Sequence, residues 1–281
     1  MRTLPVKKNL MALVKQVAGA CSLPMINQVY IPEPRAHERK HTEFGVIVLE
    51  DGSAGLYYAW MGQRQQGMRQ RFPEETLLGT SPAGLAELFE SKDEAECSLG
   101  LAAINAMTQW LFRAAGFAPA TAGNSMGELD VLAGDHIGMV GYFASLVEQL
   151  RRRDIDVTVI EKKTRFVGER DHVRVSLDPA QLQTCNKILC TAATLLNDSL
   201  DDILQYTGKA EKIAVVGPTA GFFPDPLFRR GVSAVGGTEI TDADLAIENL
   251  KNDRGLKDCS RRYTIYKNGY PGTEALLDRI L

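Results

Sequence analysis

Paired cysteines are missing from this chain of 281 residues. Cys21, Cys97, Cys185, Cys190 and Cys259 are an odd number, widely scattered, with no CxxC among them. That usage fits reduced, buried thiols and predicts a cytoplasmic protein without disulfides. No run approaches the roughly 18 apolar residues of a membrane span, so no membrane partner is expected. Lys7-Lys8 before an apolar stretch ending at Cys21 imitate an export signal. Lys15 and Gln16 interrupt that stretch, however, and Leu10, Leu13, Val14 and Val17 recur at helical spacing, which predicts an amphipathic first helix. A one-signed charge field is also missing. The net charge is −3 and there is no basic stripe, so nucleic acid is not an expected partner. Arg151-Arg152-Arg153 and Arg261-Arg262 read as solvated helix faces or element ends. A P-loop motif is absent, which removes the standard phosphate-loop nucleotide reading.

What is present is a soluble globular balance, 44% hydrophobic and 24% charged residues, enough for one large domain or two ordinary ones. The first half mixes helix and antiparallel strand signals. Gln28–Pro32, Phe44–Glu50 and Gly55–Trp60 read as strands, the last two joined by a hairpin at Asp51-Gly52. Ser81 and Pro82 start a helix that runs through Phe89. A long helix covers about Asp93 to Ala115, with Gly116 as its C-terminal stop. The second half alternates apolar strands with helices: strands at 136–140, 157–160, 187–190, 213–216 and 233–235, and helices at 144–152, 199–206, 242–251 and from Thr273. Such alternation predicts a doubly wound, mainly parallel α/β sheet. The boundary falls in the small-residue stretch Pro119–Gly134, giving an α+β domain over 1–120 and a Rossmann-like domain over 121–281.

In an open parallel sheet, ligands bind beyond the carboxyl ends of the strands. Gly141 turns the first such strand into its helix, but Tyr142 and Phe143 stand where a dinucleotide loop needs small residues, which counts against a standard nicotinamide or flavin. A tight turn with an aromatic plug is the alternative there. Glu161 ends the next strand, placed to accept hydrogen bonds from a ribose or other hydroxyl pair, or else simply exposed beside Lys162 and Lys163. Thr191 and Asn197 offer polar groups with little bulk, although one of the residues Asn197 and Asp198 would also cap the next helix. Gly217, Pro218 and Thr219 form a stiff loop, and Gly236-Gly237 permit close backbone approach by a ligand or by packing. His37 and His41, four apart beside Glu38 and Glu43, have metal-pair spacing, but their charged, proline-flanked setting predicts a solvated turn. No metal ligand set is assigned, and no cofactor is named.

Several segments in order carry a family resemblance: Ser98-Leu99-Gly100-Leu101-Ala102-Ala103-Ile104-Asn105-Ala106, Gly134-Asp135 with Gly138–Phe143, the run TAATLLNDSLDDIL from Thr191, Gly217-Pro218-Thr219, and Gly231-Val232 with Gly236-Gly237. With this spacing the chain resembles the putative heavy-metal chelation family. The resemblance implies an enolase N-terminal-like domain followed by a Rossmann-like domain. It also implies a ligand site between them that Asn105 faces, and a role in metal chelation or in handling a pterin-, flavin- or siderophore-like chelator. After Gly217-Pro218-Thr219 the sequence Ala220-Gly221-Phe222-Phe223 departs from the family pattern, which leaves the ligand's identity open. The expected partner is a small polar metabolite or chelator. An enzyme would use Asn105 and Glu161 as its candidate catalytic groups. A carrier of a metal–chelator complex and a methyltransferase using S-adenosylmethionine are the competing expectations. For oligomeric state only the general prior for a symmetric homodimer applies.

Overall fold

The computed structural model describes residues 4–32, 44–59, 67–122 and 129–281. His37, His41, Trp60 and most of the Ala122–Ser125 stretch lie outside the described residues.

The first unit opens with α1 (Val6–Ala20), whose face of Val6, Leu10, Leu13, Val14 and Val17 is buried. Strands β1 (Ile26–Tyr30), β2 (Phe44–Leu49) and β3 (Ala54–Tyr58) pair antiparallel in that order. The β2–β3 turn falls at Asp51-Gly52. Gly52 supplies a φ of +80°, and the Asp51 carboxylate accepts from the Ser53 amide and hydroxyl at 3.1 and 2.6 Å. Short helices α2 (Met68–Arg71), α3 (Glu74–Leu77) and α4 (Pro82–Ala86) follow. The helix expected to reach Phe89 tightens into a 3₁₀ turn at Glu87–Glu90.

The central element is α5 (Glu94–Ala114). Asp93 caps it by accepting from the amides of Ala95 and Glu96 at 2.9 and 3.1 Å. At its other end Gly116, with φ +64°, lets the amide of Phe117 donate back to the carbonyl of Phe112. Small residues let its neighbours come unusually close. A Cβ on Gly55 of β3 would run into the carbonyl oxygen of Ala102, and one on Gly100 into the backbone nitrogen of Phe89.

The second unit contains β4 (Ala120–Thr121), β5 (His136–Val140), α6 (Ala144–Arg151), β6 (Asp156–Ile160), β7 (Gly168–Arg170), β8 (Val173–Ser176), β9 (Lys187–Thr191), α7 (Leu200–Leu204) and β10 (Lys212–Val216). It continues with α8 (Asp225–Arg229), β11 (Ala234–Ile240), α9 (Ala243–Lys251), β12 (Ser260–Tyr266) and α10 (Thr273–Leu277). The sheet order is β4-β12-β11-β10-β9-β5-β6-β8-β7. From β11 to β8 all neighbours are parallel, and β12, β4 and β7 add antiparallel edges. The order reverses between β5 and β9. This is a mixed α/β fold built on a large, mainly parallel sheet, as the alternation predicts.

Two expectations need correcting. Gly236 and Gly237 do not end a strand, because β11 runs on to Ile240 in antiparallel pairing with β12. Arg261-Arg262 do not end an element either: they sit inside β12, on opposite faces of the sheet. The antiparallel neighbour β12 satisfies the backbone groups of β11 beyond the end of β10, and the glycines conceal the strand pattern.

The predicted boundary at 120/121 falls within β4, where Ala120 pairs with Thr264 and Thr121 with Tyr263. One apolar core runs through both units, from Leu10 and Val14 through Leu101 and Ile104 to Val215, Phe222, Val235 and Leu276. Among the described residues no helix is long and apolar enough to cross a membrane.

The close approach of β3 to α5 should be sensitive to volume. Gly55→Val is expected to cost about 3 kcal/mol or more in urea unfolding, since the blocking atoms are backbone. Gly19→Ala, at an exposed helical position with open space around it, should instead stabilise by about 0.5–1 kcal/mol.

Candidate functional site

Where α5 meets the β11–β12 ribbon, a cavity of about 300 Å³ opens between the two units. Asn105, Gln109, Phe112 and Arg113 from α5 form one wall, and Glu239, Arg261 and Tyr263 from the ribbon form the other. This is the lower end of the size range of small-molecule sites.

Asn105 is 3% exposed and fixed at the nitrogen end of its amide. Its Nδ2 donates to the carbonyl of Leu56 in β3 at 2.9 Å and to the carbonyl of Thr219, after β10, at 3.0 Å. Two carbonyl acceptors at one atom require the amide nitrogen there, so the orientation is set. Its Oδ1 is buried, has no hydrogen-bond partner among the described residues, and belongs to a residue lining the cavity. Leaving such an acceptor unsatisfied costs about 1–3 kcal/mol, which a ligand N–H or O–H would recover. Gly221 makes room for it, since a Cβ there would press on Asn105 at 3.2 Å.

The neighbouring groups have defined roles. Gln109 is engaged at both ends of its amide: its Oε1 accepts from the Ala54 amide at 2.7 Å and its Nε2 donates to the Ile240 carbonyl at 3.0 Å. Arg261 holds one Glu239 oxygen through Nε and Nη2 at 3.1 and 2.5 Å. Burial, with Glu239 nearby, pushes the Tyr263 phenol well above its ordinary range, so it stays protonated at any physiological pH. That hydroxyl has no hydrogen-bond partner among the described residues. The ring lies over Gly237, where a Cβ would stand 2.6 Å from the phenol oxygen. Phe112, Phe117 and Tyr263 supply apolar surface, and Arg113 and Gly116 are exposed at the rim.

The other predicted residues separate into groups. Phe143, Gly217, Pro218, Gly236 and Gly237 line a second cavity, of about 240 Å³. Thr238, Arg262, Tyr263 and Thr264 also line it, and Thr238 and Tyr263 border both cavities. Thr219 contributes its carbonyl to Asn105. The remaining candidates reach neither cavity. Gly141, with φ +89°, packs against Thr191, and its amide donates to Ile160. Tyr142 stacks on Phe166 at 5.6 Å. Glu161 accepts from the amides of Lys162 and Lys163 at 2.8 and 3.2 Å. Thr191 caps a short 3₁₀ turn, and Asn197 accepts from the Ser199 amide and hydroxyl. Arg261 and Tyr263 escape the sequence reading because β12 is not read there as a strand, and the alternation of Arg261, Tyr263 and Ile265 is the available signal.

The comparisons with known proteins agree with the fold. A family model described as putative heavy-metal chelation matches residues 125–268, just over half of the chain. The chain belongs to this family. An uncharacterised protein of Methanocaldococcus jannaschii is 28% identical over 184 residues, covering 63% of this chain and 69% of that protein. Two crystal structures of family members of unknown function, from Pyrococcus horikoshii and Desulfitobacterium hafniense, each match with TM-score 0.67 and 20% identity. Each covers 92% of this chain, and 99% and 98% of their own chains respectively.

The donor set of the Asn105 cavity does not fit a bare heavy-metal ion. Its single carboxylate is held by Arg261, and Arg113 adds a second cation. Among the described residues no group of three or more His, Cys, Asp and Glu side chains is placed to hold a metal. Burial pushes the thiols of Cys97, Cys185 and Cys259 up, and that of Cys190 to about 12, so none is a ready thiolate. A thiol-reagent count on the native protein at pH 8 should therefore find one fast-reacting cysteine, the half-buried Cys21, and five after denaturation. Two or more fast thiols in the native protein would contradict this burial.

Proposed function

We propose that members of the putative heavy-metal chelation family such as this chain bind a small polar organic ligand, a chelator or its precursor, in the cavity beside Asn105. The observation that carries this reading is the buried, oriented and unpartnered Oδ1 of Asn105. It asks for an N–H or O–H donor on the ligand, with the Tyr263 hydroxyl as a further hydrogen-bonding group. Phe112, Phe117 and Tyr263 would hold an apolar or planar portion, and Arg113 at the rim would meet a carboxylate or similar anion. In this reading any metal is handled through the organic ligand and not by protein side chains. The unpaired cysteines fit a reducing compartment, so the cytoplasm is the proposed location.

Glu161 has no place in this reading. One of its carboxylate oxygens accepts from the two amides that follow it, and Glu161 lines neither cavity. No reaction step is assigned.

The test is native mass spectrometry of the full chain after exposure to a dialysable cell extract. The wild type should retain a small organic mass, and Asn105→Ala should lose at least nine-tenths of it while remaining folded by circular dichroism. Metal content should follow the organic mass and vanish when that mass is stripped. Equal retention by the two proteins, or stoichiometric metal without an organic ligand, would sink the reading.

A further inference from the structure

The ion pair on the wall opposite Asn105 is joined asymmetrically, and this bears on what the cavity can hold. An arginine fork often meets a carboxylate with one N–H on each oxygen. Here both donors of Arg261, Nε and Nη2, converge on Oε2 of Glu239. The other oxygen, Oε1, has no hydrogen-bond partner among the described residues, and Glu239 lines the cavity.

The backbone sets where that carboxylate stands. Asn105 and Gln109 lie one turn apart on the same face of α5. Gln109 donates to the carbonyl of Ile240, the residue that follows Glu239. Across the ribbon Glu239 pairs with Arg261 and Gly237 with Tyr263, so the carboxylate shares the face of the Tyr263 ring.

Three hydrogen-bonding groups of this cavity are thus unused among the described residues: Oδ1 of Asn105, Oε1 of Glu239 and the hydroxyl of Tyr263. Two accept, and the phenol has a proton to donate. Their complement is a ligand edge with two donors and one acceptor. The charge on the walls is one carboxylate against the two guanidinium groups of Arg261 and Arg113. A cationic head such as an amidinium would meet an excess of positive charge, so the matching head is neutral. Phe112 and Phe117 favour a planar ring.

We propose that the head of the ligand is a neutral amino-oxo heterocycle of the guanine or aminopyrimidinone type, and that Glu239 is the residue that selects it. The ring N–H and the exocyclic amine are its two donors, and the ring carbonyl is its acceptor, all on one planar edge. Arg261 holds Oε2 and so directs Oε1 at that edge. The inference rests on the cavity beside Asn105 being the ligand site, and adds the class of ligand. A catechol also offers two donors, but it has no carbonyl oxygen for the tyrosine.

Two purines that differ only in the exocyclic amine test this by calorimetry on the full chain: guanin-9-ylacetate and hypoxanthin-9-ylacetate. The wild type should bind the guanine at least tenfold more tightly, because the hypoxanthine leaves an acceptor unmet. Glu239→Gln keeps an oxygen for Arg261 and turns its own NH2 toward the ligand's donors. It should fold like the wild type by circular dichroism and bind the guanine at least tenfold more weakly. The comparison of the two purines needs no variant, so it decides the question if Glu239→Gln does not fold. No binding of the guanine, a preference for it below tenfold, undiminished binding by folded Glu239→Gln, or tighter binding of the catechol protocatechuate would each overturn the proposal. If Asn105→Ala still loses the organic mass that the wild type retains from cell extract, those results remove only the assignment of Glu239 and the ligand class. Equal retention by those two proteins removes the ligand site itself.

Discussion

The amide of Asn105 is the contact on which the arrangement of this protein turns. Its nitrogen is shared between a carbonyl of the small antiparallel sheet and a carbonyl of the loop after β10, so one buried group ties the two units together. The geometry works because α5 is narrow at this level. Ala102 and Ala106 let β3 lie almost against the helix backbone, and Gly221 clears the space beside the amide. Fixing the nitrogen also fixes the oxygen. A buried acceptor without a partner is a cost that the fold carries in the absence of a ligand, and the apolar core shared by both units is what supports it.

The second constraint is the β11–β12 ribbon, which separates two different environments. Side chains alternate across it, so Tyr263 and Arg261 face α5 while Arg262 and Thr264 face the side of α6. Gly236 and Gly237 keep the ribbon thin where the cavities approach each other. On one side an acceptor and aromatic surface suit a donor-bearing, partly planar molecule. The adjacent arginines of β12 thus point to opposite sides of the ribbon.

Much of this was legible in the sequence, and the exceptions share a physical origin. The alternation of apolar strands and helices located β5, β6, β9 and β10 almost to the residue, because strands buried on both faces leave an uninterrupted apolar run. Gly116 marks the end of α5 by its capping chemistry, and the expected start near Asp93 coincides with the residue that caps the helix. Asn105 came from the family resemblance, as the amide in the small apolar face of that helix. The strand β12 escaped because Arg261 and Arg262 interrupt its apolar pattern, and a charged pair of that kind reads as a surface turn. Glu161 stands where an acid in this fold binds a ribose, yet one of its carboxylate oxygens accepts from its own two following amides. Local hydrogen bonding to the next two residues cannot be read from position in the chain alone.

The most direct measurement of the central claim is through-hydrogen-bond scalar coupling by NMR on deuterated, ¹⁵N,¹³C-labelled protein. The side-chain nitrogen of Asn105 should couple to the carbonyl carbons of Leu56 and Thr219, with both amide protons slow to exchange in the ligand-free protein. Fast-exchanging Asn105 amide protons with no coupling to either carbonyl would contradict the account. The nitrogen would then face the cavity or solvent, and the oriented, waiting acceptor would not exist.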